Sequence, residues 1–291
     1  MGLGNNHIHY EICGNGYPLV ILHGLGTDHR SMKAWVEPLF EKRSGWQRIY
    51  MDLPAHGHSS TPDWVKTSDD LLELLLHSID TLLPDQHFSI VGKSFGGYLA
   101  QGILAKRAQL IDGVSLLAPA LHKKERTLPT RVVLQSDEQL LSSLDADIRA
   151  AFETLMILQT KQNLDAFLSE IQPGRLLANR DFLTSDWRTK GYFFSTEPLA
   201  EGSTYPQPSL FLLGRQDAVC GYHDHMELLM HFPHSTFSIL DRAGHLLEIE
   251  QRNVVLVQLK EWLNRVELYK SIWGEPYAKQ QDKQCPFKSR H

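Results

Sequence analysis

Ser94, Asp217 and His245 stand far apart in this chain, yet together they have the makings of acyl-transfer chemistry. A serine hydroxyl is a weak nucleophile until a neighbouring base takes its proton. Neutral imidazole is such a base near pH 7, and an acid once protonated. A carboxylate that accepts the imidazole Nδ1–H fixes its tautomer and stabilises the imidazolium. Each residue also has a blander reading: a Gly/Ser-rich turn, a turn-forming aspartate, a surface or core histidine. The order Ser, Asp, His and the segments around them favour the chemical reading.

Ser94 lies in Gly92-Lys93-Ser94-Phe95-Gly96, between an apolar run at 87–91 and a helix-like stretch at 98–107. A serine at such a junction sits on a sharp strand-to-helix turn that lifts its hydroxyl clear of both elements. A side chain larger than hydrogen at 92 or 96 would press strand against helix. His23-Gly24-Leu25-Gly26 directly follows the apolar run 19–22. Its flexible backbone can aim Leu25 N–H, and the following helix start can aim Phe95 N–H, at the oxygen of an attacked ester carbonyl. Loss of one such oxyanion donor costs about 3 kcal/mol of barrier. His23 itself reads as support beneath the loop. Asp217 ends Gly214-Arg215-Gln216-Asp217, after the run 210–213, and His245 ends Asp241-Arg242-Ala243-Gly244-His245, after 237–240.

These residues need a scaffold, and the pattern supplies an α/β one. Strands are expected at 7–13, 18–23, 47–52, 87–92, 112–118, 208–214 and 236–241. Leu19-Val20-Ile21-Leu22 and Leu210-Phe211-Leu212-Leu213 lack alternation, which suits parallel strands covered on both faces. Helices are expected near 30–43, 67–83, 95–107, 222–231 and 253–268. Strands alternating with helices imply a mostly parallel sheet with right-handed crossovers. Between 121 and 196 the alternation stops. Helical patterns near 137–144, 145–160, 163–171 and 179–188 read as a cap over the carboxyl ends of the strands, where ligands bind in such sheets. Residues 275–291 are polar and read as a frayed tail, with Trp273 and Tyr277 as possible pins.

The chain has 291 residues, room for one large domain or a core with an insertion. A net charge of −5 argues against a nucleic-acid or anionic-membrane surface. No stretch is apolar enough to span a bilayer, and residues 1–7 do not read as a secretory leader. Three widely spaced cysteines (Cys13, Cys220, Cys285) suggest reduced thiols and a cytoplasmic setting.

Four segments, in order, resemble those of the α/β-hydrolase superfamily, in its group of cap-bearing serine esterases and C–C hydrolases. Gly92-Lys93-Ser94-Phe95-Gly96-Gly97 matches its nucleophile elbow, and His23-Gly24-Leu25-Gly26 its oxyanion loop. Asp52-Leu53-Pro54-Ala55-His56-Gly57-His58-Ser59 is similar to its D-x-x-G-x-G-x-S segment, with Ala55 for glycine. Gly244-His245 with Glu250 resembles its histidine loop. The match covers roughly 7–120 and 205–265. It implies a core of 1–120 and 197–268, a helical cap of 121–196 inserted after the sixth strand, and a tail of 269–291. It implies Ser94, Asp217 and His245 as a triad, with Leu25 and Phe95 amides as the oxyanion hole. The small or medium uncharged carboxylic ester is the expected substrate, and no cofactor or metal is called for.

Two alternatives stay open. One is C–C hydrolysis of a dienoate, for which Arg131, Arg175, Arg180 and Arg188 are candidate carboxylate partners, though each also reads as a solvated charge. The other is a non-catalytic ligand-binding receptor on the same fold. An aminopeptidase would need an acidic cluster, and Glu153 and Glu170 make a weak one. His223-Asp224-His225 is a poor metal pair, because spacing i, i+2 splits two ligands across a helix. Lys93 is expected to pair with a carboxylate.

Overall fold

The protein is described from a computed structural model covering residues 7–273. Its strands are β1 (Tyr10–Cys13), β2 (Tyr17–Leu22), β3 (Trp46–Met51), β4 (Phe88–Lys93), β5 (Ile111–Leu117), β6 (Gln135–Ser136), β7 (Leu158–Gln159), β8 (Ser209–Gly214) and β9 (Ser235–Leu240). All but β6 and β7 form one sheet in the order β1-β3-β2-β4-β5-β8-β9. Only β1, against β3, runs antiparallel in it.

The unalternating runs are explained by the layers on either side. Val20, Leu22 and Ile90 face one core with helices α2 (Ser68–Leu82) and α3 (Phe95–Arg107). Leu19, Ile21 and Val91 face the other, with α1 (Arg30–Val36) and the C-terminal helix Arg252–Trp273. A strand covered on both faces has no polar side to show. Helix α2 starts at a capping box: Thr67 Oγ1 accepts from Asp70 N–H, and the Asp70 carboxylate accepts from Thr67 N–H.

Between β5 and β8 lie α4 (Glu138–Ser142), α5 (Ala146–Leu155), α6 (Lys161–Ala166), α7 (Gln172–Leu177) and α8 (Arg180–Leu183). Leu141, Phe152, Met156, Leu164, Phe167 and Ile171 of this helical segment pack on Leu246 and Ile249. Ile249 belongs to α9 (Leu247–Glu250), which precedes α10, the helix Arg252–Trp273. The insertion is thus seated on the loop that carries His245.

Several expected boundaries shift. The helix expected at 30–43 ends at Val36 and tightens into a 3₁₀ turn, Glu37–Phe40, because Pro38 lacks the N–H that would continue it. The helix expected at 222–231 is a 3₁₀ turn over Asp224–Met230. The helix expected at 145–160 stops at Leu155, and the next residues run extended into β7, which pairs with β6. Residues 7–9 precede β1 rather than joining it. Among the described residues the insertion leaves the sheet after β5. Tyr277 and the tail expected at 275–291 lie outside the described residues.

Candidate active site

Strand β4 turns into α3 through Ser94, whose φ of 51° is rare for any residue with a side chain. Three glycines make the turn possible. A Cβ at Gly92 would lie 2.8 Å from both Gly96 O and Gly97 Cα, and one at Gly96 would lie 2.2 Å from His23 O. A Cβ at Gly97 would meet Pro119 at 2.8 Å. Ser94 N–H donates to Leu117 O at 2.9 Å and Ala120 N–H donates to Ser94 O at 3.0 Å, so the turn is pinned to the end of β5.

The loops after β8 and β9 bring the other two residues to this turn. His245 Nε2 lies 2.9 Å from Ser94 Oγ, and His245 Nδ1 lies 2.9 Å from Asp217 Oδ2. Asp217 is fully buried, and its Oδ1 accepts from Val219 N–H (2.8 Å) and Cys220 N–H (3.0 Å). Burial pushes the Asp217 pKa up, but His245 and these amides outweigh it and hold the carboxyl below its ordinary value. Burial pushes the His245 pKa down, and the adjacent Asp217 carboxylate more than reverses this, which stabilises the positive charge the ring acquires when it takes a proton. The Asp217 bond leaves Nε2 free to take a proton from the Ser94 hydroxyl.

Leu25 and Phe95 line the same cavity as Ser94 and His245. Among the described residues neither amide donates to a protein acceptor, so both are available to a developing oxyanion. The loop bearing Leu25 is held from below by two histidines. His23 Nδ1–H donates to Gly24 O (2.7 Å) while its Nε2 accepts from Leu53 N–H (2.9 Å). His56 Nδ1–H donates to Pro54 O (2.8 Å) while its Nε2 accepts from Gly26 N–H (2.8 Å). The partners fix both tautomers and require neutral rings. Asp52 braces the same segment: it accepts from His29 N–H (2.9 Å) and His58 N–H (3.0 Å) and bonds the His29 and His9 rings. A Cβ at Gly57, where φ is 52°, would meet that carboxylate at 2.3 Å.

This histidine scaffold makes stability depend on pH. Burial pushes the His56 pKa down to about 3. A histidine with a depressed folded-state pKa contributes fully above its unfolded value, about 6.5, and its contribution is lost as pH falls toward the folded value. The stability gap between wild type and His56→Gln should therefore shrink below pH 6.5, by roughly 1.4 kcal/mol per pH unit. Urea unfolding at pH 7.5, 6.0 and 5.0 checks this; a gap independent of pH would refute it.

Two carboxylates join the loops, and one of them is the partner expected for Lys93. Lys93 Nζ donates to His245 O at 2.9 Å and pairs with Glu248 Oε2 at 2.5 Å, with both side chains almost inaccessible. The cation beside Ser94 is thereby neutralised and spent on the histidine loop. Glu250, quoted only for its spacing from His245, accepts from Gly244 N–H (2.6 Å) with one oxygen and from Ile157 and Leu158 N–H (2.7 and 2.8 Å) with the other. That capture of two amides is why the helix expected at 145–160 ends early.

Other sequence candidates scatter. Arg175 and Arg188 line the cavity, whereas Arg131 donates to Glu153 O and Arg180 faces Asp147, neither at the cavity wall. Glu153 pairs with Arg149, and Glu170 with Arg252. Asp224 is taken by Lys123 and Thr127 N–H, and His225 Nε2 bonds Pro119 O. Of the insertion's aromatics, Phe193 lines the cavity with Tyr192, while Phe152 and Phe167 pack on each other. Among the described residues two groups bring metal-type ligand atoms within 4.8 Å of one another, His9/His29/Asp52 and Asp217/Cys220/His245. In both, the carboxylate hydrogen-bonds the imidazole Nδ1 atoms of its group. No helix among the described residues is long and apolar enough to cross a membrane.

Known proteins share this arrangement of chain. A family model described as the alpha/beta hydrolase fold matches residues 17–251. A pimeloyl-(acyl-carrier protein) methyl ester esterase of Shewanella woodyi is 25% identical over 265 residues, covering 90% of this chain and 99% of that protein. A 2-hydroxy-6-oxo-6-(2'-aminophenyl)hexa-2,4-dienoic acid hydrolase of Metapseudomonas resinovorans is 24% identical, covering 85% and 84%. Among solved structures, an alpha/beta superfamily hydrolase from Oenococcus oeni superposes with a TM-score of 0.81 at 29% identity, covering 90% of this chain and 97% of that one.

Proposed function

The chain belongs to the alpha/beta hydrolase fold family, and from that premise we propose that it is a serine hydrolase cleaving carboxylic esters through an acyl-enzyme. One observation carries the reading: a single buried imidazole within 2.9 Å of both the Ser94 hydroxyl and the Asp217 carboxylate. Ser94 Oγ attacks the ester carbonyl as His245 Nε2 takes its proton. The tetrahedral oxyanion is held by the Leu25 and Phe95 amides. His245 then protonates the leaving alcohol, and the C–O bond of the ester breaks. A water that gives its proton to His245 attacks the acyl-enzyme and releases the acid, with Ser94 regaining its hydrogen. Asp217 keeps the ring oriented throughout. The helical insertion acts as a cap that closes the pocket over the acyl group. The similarity to an esterase favours ester over other acyl substrates.

Fluorophosphonate labelling is the direct test. One adduct at Ser94 by mass spectrometry, abolished by prior denaturation, is the expected result. A folded protein that stays unlabelled would favour a receptor on this fold. Turnover of nitrophenyl esters beside a synthetic dienoate separates ester from C–C cleavage, and a dienoate rate above every ester rate would replace the ester reading.

A further inference from the structure

We propose that the ester substrate carries an anionic group, a carboxylate or phosphate, at the end remote from the scissile bond, and that Lys124, Arg126 and Arg188 form its subsite. The proposal rests on the esterase reading for the reaction but on separate observations for the anion. The cavity holding Ser94 encloses about 430 Å³. Its apolar wall includes Leu25, Phe95, Leu121, Leu155, Tyr192 and Phe193. Every charged side chain on the wall is basic except for the titratable His245: Lys93, Lys123, Lys124, Arg126, Arg175 and Arg188, with no Asp or Glu. In a chain with 34 acidic and 29 basic residues, an unselected set of six charges would be mixed.

Three of the six are already answered. Lys93 is paired with Glu248, Lys123 with Asp224 and Glu227, and Arg175 with Asp147, which Arg180 shares. The remaining three have no carboxylate partner among the described residues. Arg126 Nη1 donates to the carbonyl of Val219, itself a wall residue, at 2.6 Å. The Arg188 guanidinium stands 4.9 Å above the Tyr192 ring, another wall residue. Both arginines are therefore held at the cavity by a contact that leaves the charge unneutralised, and Lys124 adds a third cation to the wall. They come from two separate segments, the chain after β5 and the turn after α8. An apolar passage with Ser94 on its wall and unpaired guanidinium groups fits a ligand with a hydrocarbon body and one anionic end. Low-dielectric walls focus such a field on the ligand.

Matched substrates test this: nitrophenyl esters of one acyl length ending in methyl, carboxylate or phosphate. The anionic esters should show kcat/KM at least tenfold above the methyl one at low salt, with the preference falling severalfold in 0.5 M salt. The ratio should collapse in Arg126→Gln/Arg188→Gln and persist in Lys190→Gln, an exposed cation paired with Asp186 away from the wall. Whichever anion shows the larger ratio identifies the group. Equal turnover of all three esters would overturn the subsite and leave the esterase intact. Calorimetry of a six-carbon dicarboxylate against the six-carbon diol judges the subsite independently of turnover. Salt-sensitive dicarboxylate binding lost in the double variant upholds it even if no ester is cleaved, and indifference between the two ligands refutes it. Circular dichroism confirms that the exposed substitutions leave the fold in place.

Discussion

Ser94→Ala should lower ester turnover by about 10⁶-fold, because it removes the hydroxyl that bonds His245 Nε2. The variant should fold normally. Alanine fits the space of the serine, and Ser94 holds the turn through its backbone bonds to Leu117 and Ala120, not through Oγ. Substrate binding should survive, so the loss should fall on kcat. Steady-state kinetics with a nitrophenyl ester checks it. Activity above a few per cent of wild type would remove Ser94 from the nucleophile role.

Asp217→Asn should cost about 10⁴-fold in kcat, since an amide that donates to Nδ1 puts the ring proton on Nε2, where it cannot accept from serine. A second readout separates this from a structural lesion. The buried carboxylate is what raises the His245 pKa against burial. Without it the imidazole pKa falls, and the acid limb of the residual kcat/KM profile moves to lower pH. An unchanged limb with a folded variant would contradict the role given to Asp217.

The sheet was legible because its interior strands are covered on both faces, and runs such as Leu19-Val20-Ile21-Leu22 record that directly. The turn at Ser94 was legible for a steric reason: hydrogen alone fits at Gly92 and Gly96, and the structure gives the contacts a Cβ would make. The pairing of residues 94, 217 and 245 followed from chain order on such a sheet. What the sequence could not show was partnership across long separations. Lys93 and Glu248 are 155 residues apart, and no local pattern marks one for the other. Glu250 ends a helix at Leu155 that local periodicity would extend. Arg188 and Arg126 look like surface charges until the fold puts them on one wall, whereas Arg131 and Arg180, equal to them in sequence, fall elsewhere.

The Glu250 carboxylate has one oxygen on the amide next to His245 and the other on two amides of the insertion. It works as a shared rivet. Any swing of the overlying helices that draws 157 and 158 away must strip one side of that rivet or drag Gly244 along. The position of those helices and that of the residue before His245 are therefore mechanically coupled through one side chain.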